Sequence, residues 1–467
     1  MEEIRISGKW SIPCTNFIEL NGELYLYPSK NIINLIVYSS ESIGLFNEFD
    51  IITGKTTYDS NITLYKCNVA KEDISFGGEL KYKLLITANY FFGGVNFQSE
   101  DEILFQEIVA RFSNLDEWAF LEGFNFNSVK NYDFSLTYKS PKQIEYKVNN
   151  ETTLTIYSIL EAPVALTVDK EVKIIQKVYV SVKHISPQAL KKSLDIIQTL
   201  MDFVSLCTYQ VSNYIEIFGY NPEHYHLINN DKKDKIYHRI PIYNARQTSE
   251  NYKRIDPRMV LLNLQDLSNN FKLYMKNWFL NRKLLEPVID LYLNTINYYQ
   301  MSPELNFLCL VQALESYHRR RRNNYLIDEY EHKKRIGTII DLIPKEHKDW
   351  LKGRLLFSNE PALKQRIDEL TYDGHNYWVF FSGRDEREKF IKDIKNTRNY
   401  FIHYDESLKD KALSGEDLDL ACFYLKKILE YHLLKEIGFS TESIRLKIGK
   451  EIGRIRDIIN VKNIRRR

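Results

Sequence analysis

The 467-residue chain has few of the residues that punctuate or cross-link unusual architectures: 18 Gly, 12 Pro and 5 Cys. Sparse glycine and proline exclude collagen-like and low-complexity classes, and a composition of 44% hydrophobic and 27% charged residues is not that of a disordered chain. The cysteines (Cys14, Cys67, Cys207, Cys309, Cys422) are scattered, with no CxxC and no close pair. That spacing argues against a structural zinc site or a disulfide framework and suits a reducing compartment. No uncharged apolar run reaches the ~18 residues of a spanning helix. The opening "MEEIRISGKW" lacks the basic start and apolar run of a signal peptide. A cytoplasmic protein with no membrane partner is therefore expected. Also missing are a glycine-rich phosphate loop, a G-x-S-x-G turn and a paired-carboxylate metal site. His224, His226 and His238 have no Cys or acidic ligand set near them in sequence, so no metal or other cofactor is expected.

Net charge is only +2 but is unevenly placed. Residues 1–185 hold 17 Lys+Arg against 24 Asp+Glu, and the remainder holds 47 against 38. Much of that surplus lies in "RLKIGKEIGRIRDIINVKNIRRR", with nine basic and two acidic side chains. A basic C-terminal half can hold a polyanion by counterion release, although any single basic run is more simply a solvated helix face.

Hydrophobic periodicity divides the chain. Up to about residue 185 it has period two: "LYLYPS", "NLIVYSS", "ITLYKCNV", "YKLLITANYFF" and "EVKIIQKVYVSVK" are β-branched and aromatic, with turn residues between them. Many short strands predict an antiparallel sandwich or barrel, broken near "EILFQEIVARFSNLDEWAF" by a strand and a short helix. At "HISPQALKKSLDIIQTLMDFVSLC" the period changes, with Ser186 as N-cap and Pro187 at the first helical position. A strand pair, "NYIEIFGYN" and "KIYHRIPIYNA", follows, and from Pro257 onward the pattern is helical. The expected fold class is α+β: a β-rich domain at 1–185, a mostly helical connecting region at 186–300, and an all-α region at 301–467 that ends in the basic tail.

Two C-terminal helices contain anomalies. In "SPELNFLCLVQALESYHRRRR", capped by Ser302 and Pro303, apolar side chains occur all round the wheel, as in a buried helix. Glu315 falls between Val311 and Leu308, a carboxylate inside or at the rim of the core. In "REKFIKDIKNTRNYFIHYD", Phe401, Ile394, Ile391 and Ile402 occupy an arc of roughly 120° measured from Phe390, and Arg398 lands at about 80°, within it. A buried, unpaired guanidinium would cost several kcal/mol, so Arg398 needs a carboxylate, a phosphate, or each in turn. His403 lies about 140° further round. The two converge only if the helix loosens near Phe401 or a second subunit completes the site.

Arg398-Asn399-Tyr400-Phe401-Ile402-His403 resembles the R-N-x-x-x-H form of the HEPN ribonuclease signature. The acidic residue in the upstream "QALESYHRR" and the downstream helix "SGEDLDLACFYLKKILEYHLLKEIG", with Ser414 and Asp417 spaced like a capping box, strengthen the resemblance. The chain as a whole resembles the ApeA family of bacterial anti-phage proteins. "ISGKWSIP", "NITLYKCNV" and "ARFSNLDEW" are similar to its N-terminal domain, and "LVQALESYHRR" with "RNYFIHYD" to its HEPN domain. The least distinctive parts are 186–300 and the basic tail. The resemblance implies a metal-independent endoribonuclease of abortive infection that cuts host or phage RNA, with tRNA as the expected kind of target. A phage-derived trigger, expected to be a protein, would be read by the N-terminal domain. HEPN domains pair so that two motifs face one cleft, which implies a homodimer or higher homo-oligomer. The rival reading is a non-catalytic HEPN scaffold for dimerisation or RNA binding, coupled to a β-rich ligand-binding domain.

In that chemistry histidine is the side chain suited to proton transfer at neutral pH, and arginine forks donors onto phosphate oxygens. Arg398 and His403 are the catalytic candidates, with Asn399 orienting either of them. Glu315 either holds Arg398 or joins in proton transfer. Arg319, Arg320, Arg321 and Arg322 are candidates for gripping RNA, but basic residues at a helix C-terminus also suit the helix dipole without any RNA. In the tail, Ile444, Ile448, Ile452, Ile455 and Ile459 recur at helical spacing. They predict a docked amphipathic helix in preference to an RNA arm.

Overall fold

The computed structural model describes residues 4–13, 19–27, 32–44, 47–76, 80–128, 134–162, 172–227, 235–244, 252, 254–296, 301–372 and 379–465. It divides into two units, Met1–Asn269 and Asn270–Arg467.

Six strands open the first unit: β1 (Ile4–Ser11), β2 (Glu19–Tyr27), β3 (Ile32–Ser39), β4 (Glu48–Thr56), β5 (Asn61–Phe76) and β6 (Leu80–Gly93). Their antiparallel order, β6-β3-β2-β1-β4-β5, closes on itself because β5 also pairs with β6. Strict alternation explains the closure. In β2 and β3 every second residue is buried, and Trp10, Leu24, Leu35, Ile52, Leu64 and Ile86 fill the interior. The barrel is thus a packed core. Gly54 gives Trp10 its room, since a Cβ there would lie 2.3 Å from the indole ring.

After the barrel come β7 (Leu104–Phe112), α1 (Leu115–Ala119), β8 (Phe124–Ser128), β9 (Phe134–Tyr138), β10 (Ile144–Lys147), β11 (Thr152–Glu161), β12 (Ile175–Ala189), α2 (Leu190–Thr208) and β13 (Tyr214–Tyr220). The unit ends with β14 (Tyr225–Leu227), β15 (Lys235–Tyr237), β16 (Ile240–Asn244) and α3 (Leu264–Leu267). The strand pair expected after the first long helix is present as β13 and β16. It is built into the main sheet, where β16 joins β6 and β13 joins β7, so the barrel wall continues as β6-β16-β13-β7-β12-β11-β10. Helix α2 packs on β7 and β12, burying Ile197, Leu200 and Val204, with Phe203 edge-on to Trp118.

Helix α2 starts later than the Ser186-Pro187 signal predicts. Its N-cap is Ala189, and residues 186–189 still belong to β12. After a bulge, Gln188 and Ala189 pair with Phe105 and Leu104, and the Gln106 side chain donates to the carbonyl of Ile185. Ladder pairing prevails over the local helix-start signal.

The second unit is helical: α4 (Phe271–Leu284), α5 (Glu286–Ile296), α6 (Pro303–Arg321), α7 (Glu329–Asp341), α8 (Lys345–Leu355), α9 (Leu363–Thr371), α10 (Arg384–His403), α11 (Gly415–Ile437) and α12 (Thr441–Arg465). Helix α11 is its centre, with Leu425, Ile428, Leu429, Tyr431 and Leu434 fully buried. The Ser302 side chain caps α6 by accepting from the Leu305 N–H. Ser414 is the N-cap residue of α11, but its side chain makes no cap bond. The basic tail docks as α12 through buried Ile444, Ile448 and Ile452. It is fastened by Glu451, which pairs with the buried Lys427, and by Arg456, which donates to the carbonyl of Phe380. Ile459 lies where side chains are outside the described residues. Among the described residues no helix is long and apolar enough to cross a membrane.

Candidate active site

Helices α6 and α10 carry the candidate residues Glu315, Arg398, Asn399 and His403. Phe307 of α6 meets Phe401 of α10 edge to face at 5.9 Å, and Ile391, Ile394 and Thr397 bury the inner face of α10. Thr397 is fully buried and accepts from the Leu413 N–H at 2.9 Å, which ties the following loop back to the helix. Ile402, expected on the inner arc, is instead 47% exposed. It stands at the edge of that arc, one residue before the helix ends.

Arg398 extends this inner face and is half-buried, with 28% of its side chain exposed. The expected carboxylate is present: Glu315 Oε2 lies 3.7 Å from Arg398 Nη2, and only 13% of the Glu315 side chain is exposed. Arg398 Nη1 also donates to Asn399 Oδ1 at 3.3 Å. Both contacts are long, and a guanidinium has more N–H donors than they use. The group is therefore held in place without being saturated.

His403 is exposed and is the last residue of α10. Tyr404 adopts the left-handed conformation (φ 50°, ψ 38°) and its N–H returns to the Tyr400 carbonyl, which ends the helix at the histidine. The helix is continuous through Phe401, so Arg398 and His403 leave it on different faces. Among the described residues no hydrogen bond or ion pair joins them. Asp405 was not singled out from the sequence. Hydrogen bonds from the Ser407 hydroxyl and N–H hold its carboxyl below the ordinary range, and His403 and Lys411 add to that pull.

The four arginines at the end of α6 have different surroundings. Arg319 pairs with Glu360 at 2.8 Å, and Arg321 with Glu436 at 3.1 Å and with Asn281. Arg322 is the C-terminal cap residue, and Arg320 is exposed.

Behind Glu315 lies a polar cluster that sequence inspection missed. His318, one turn on from Glu315, is wholly buried, as is Arg366 of α9. Arg366 Nη1 lies 3.1 Å from His318 Nδ1, and His318 Nε2 lies 2.7 Å from Glu369 Oε2. Arginine can only donate, so Nδ1 is the acceptor, and Nε2 carries the proton given to Glu369. Burial holds His318 below the ordinary histidine range; Arg366 and Arg322 push the same way, against the pull of Glu369. Arg366 also bonds Glu360 and Asn324, and Glu315 is within its electrostatic reach. A histidine in "ESYHRR" signals little by itself, because its partners lie some 50 residues away in sequence.

The rings of His226 and His238 lie 5.1 Å apart in the first unit, tilted at 49° to each other. Among the described residues no group of three or more His, Cys, Asp and Glu is placed to share a metal ion.

A filled β-barrel with a sheet extension, followed by a helical unit whose α6–α10 pair carries the Arg-Asn-x-x-x-His step, defines a β-rich protein with a C-terminal HEPN-type domain. The family described as Apea-like HEPN matches residues 308–443, and the family described as ApeA N-terminal domain 1 matches residues 5–278. The chain belongs to the ApeA family. The N-terminal match runs past the change of period near residue 185 and takes in β13 and β16. No curated protein and no solved structure matches the chain.

Proposed function

We propose that the protein is a metal-independent HEPN endoribonuclease of anti-phage defence. The observation that carries this reading is Arg398: a half-buried guanidinium, steadied by Glu315 and Asn399 but with donors to spare, on a helix that ends at an exposed histidine. Those remaining N–H groups stand where solvent reaches the side chain, so a phosphate can reach them too.

In the proposed reaction the 2′-oxygen of a ribose attacks the adjacent phosphorus and the P–O5′ bond breaks. The products are a 2′,3′-cyclic phosphate and a 5′-hydroxyl. One imidazole accepts the 2′-OH proton, and an imidazolium supplies the proton to the leaving 5′-oxygen. Arg398 binds the phosphate oxygens, whose charge grows in the transition state. Asn399 and Glu315 position Arg398. Because His403 and Arg398 diverge on one helix, the site is completed by a second copy of the chain, whose histidine meets the phosphate held by Arg398. The expected substrate is a structured RNA such as tRNA. The N-terminal unit reads a phage-derived trigger on its outer surface, since the barrel interior is filled by side chains.

Arg398→Ala and His403→Ala, expressed in bacteria challenged with phage, test the reading. Each variant should fold and accumulate as the parent does while losing protection. If both still protect, the catalytic assignment fails and the domain is a scaffold.

A further inference from the structure

The face of α10 that carries His403 has a second property. Taking Lys389 as zero at 100° per residue, Lys392, Lys395, Asn396, Asn399 and His403 all fall within about 120° of one another and of Lys389. The inner face, with Ile391, Ile394 and Thr397, points the other way. The lysines line a cleft of about 740 Å³ between α9 and α10, and Lys364 of α9 faces them across it.

The acids in this cleft do not cancel the lysines. Asp368 is paired with the buried Arg387 at 2.8 Å, and Glu388 with Arg384 at 2.8 Å. That leaves Asp385 against Lys364, Lys389, Lys392 and Lys395, none of which has an ion pair among the described residues. A run of lysines is commonly just a solvated helix face. Here, however, four converge on one concave surface whose acids are already engaged, in register with an exposed histidine at the end of the same helix. By contrast, Arg319 and Arg321 are committed to Glu360 and Glu436.

We infer that the α9–α10 cleft is the track that holds the RNA backbone and feeds it to His403. Lys364, Lys389, Lys392 and Lys395 contact phosphates, and Asn396 and Asn399 contact phosphate or sugar oxygens along the way. The inference rests on the ribonuclease reading and names the surface that grips its substrate.

The test uses the full chain carrying His403→Ala, so that bound RNA stays intact, and fluorescein-labelled oligouridine in EDTA. Binding is measured across a salt series for this parent, for Lys389→Ala/Lys392→Ala/Lys395→Ala, and for the triple Lys→Arg variant. Each phosphate contact on a single strand contributes about 0.7 to the salt slope. The alanine triple should therefore lower the slope by about 2 and weaken binding roughly 10- to 50-fold near physiological salt. The arginine triple should keep both.

Unchanged affinity and slope in the alanine triple would overturn the track. Unchanged RNA binding with lost phage protection would also overturn it, assigning the cleft to an acidic protein partner. Cleavage by the chain with His403 intact is scored separately. RNA held on the track but never cut leaves the track standing and sinks the ribonuclease, while RNA cut by a protein whose alanine triple binds normally does the reverse.

Discussion

Glu315→Gln probes whether the carboxylate's work is to hold Arg398. At 3.7 Å and an effective dielectric near 20, the gross attraction of the pair is about 4 kcal/mol. Solvent reaches 28% of the arginine side chain, and desolvation offsets much of that gain. The expected net coupling is about 1–2 kcal/mol, above that of an exposed pair and below the penalty for breaking a fully buried one. For a unit the size of Asn270–Arg467, that lowers the melting temperature by roughly 2–8 °C. The assay is a double-mutant cycle of Glu315→Gln and Arg398→Ala on the full chain, read by thermal unfolding. Once Arg398 is gone, removing Glu315 should add little. Single effects that simply sum, with coupling below about 0.3 kcal/mol, would refute the holding role. Lost RNA cleavage with an unmoved melting temperature would shift Glu315 to proton transfer.

Two further predictions concern what supports the site. Because burial lowers the His318 pKa in the folded state, the unfolded chain takes up a proton on this group first as pH falls, and folding stability drops below about pH 6.5. Urea midpoints at about pH 7.5 and 5.5 should show that loss, and His318→Gln should flatten it; an unaltered slope would mean that other groups govern acid sensitivity. Glu430 is fully buried, accepts from Tyr292 at 2.9 Å and pairs with Lys427 at 2.8 Å. Glu430→Ala should destabilise the helical unit by about 3 kcal/mol, the low end for a broken buried pair, because Glu451 still faces Lys427. A midpoint shift worth under about 1 kcal/mol would contradict that.

The β-rich start, the helical end and the Arg398–Glu315 meeting were legible because each is written in local period: two in the strands, 3.6 in the helices, and a charge breaking the apolar arc of α10. The divergence of Arg398 and His403 was legible from helical spacing; α10 does not loosen near Phe401 and ends only at His403, where Tyr404 is left-handed. What was not legible depends on distant pairing. Residues 186–189 look like a helix start but follow Phe105 and Leu104 as strand. The pair β13 and β16 comes after a long helix and still joins the main sheet, linking the barrel strand β6 to β7. His318 and Arg366 become a cluster only once α9 folds against α6. The lysine face of α10 resembles ordinary solvated charge until Asp368 and Glu388 are seen to be engaged elsewhere.

The central claim, that Arg398 and His403 cut RNA, is tested most directly by incubating the purified full chain with total RNA in EDTA, with and without phage lysate, and mapping the ends of the products. The account predicts fragments with 2′,3′-cyclic phosphate and 5′-hydroxyl ends from the parent, and none from Arg398→Ala or His403→Ala. Cutting that survives both substitutions, or that leaves 3′-hydroxyl and 5′-phosphate ends, would contradict it.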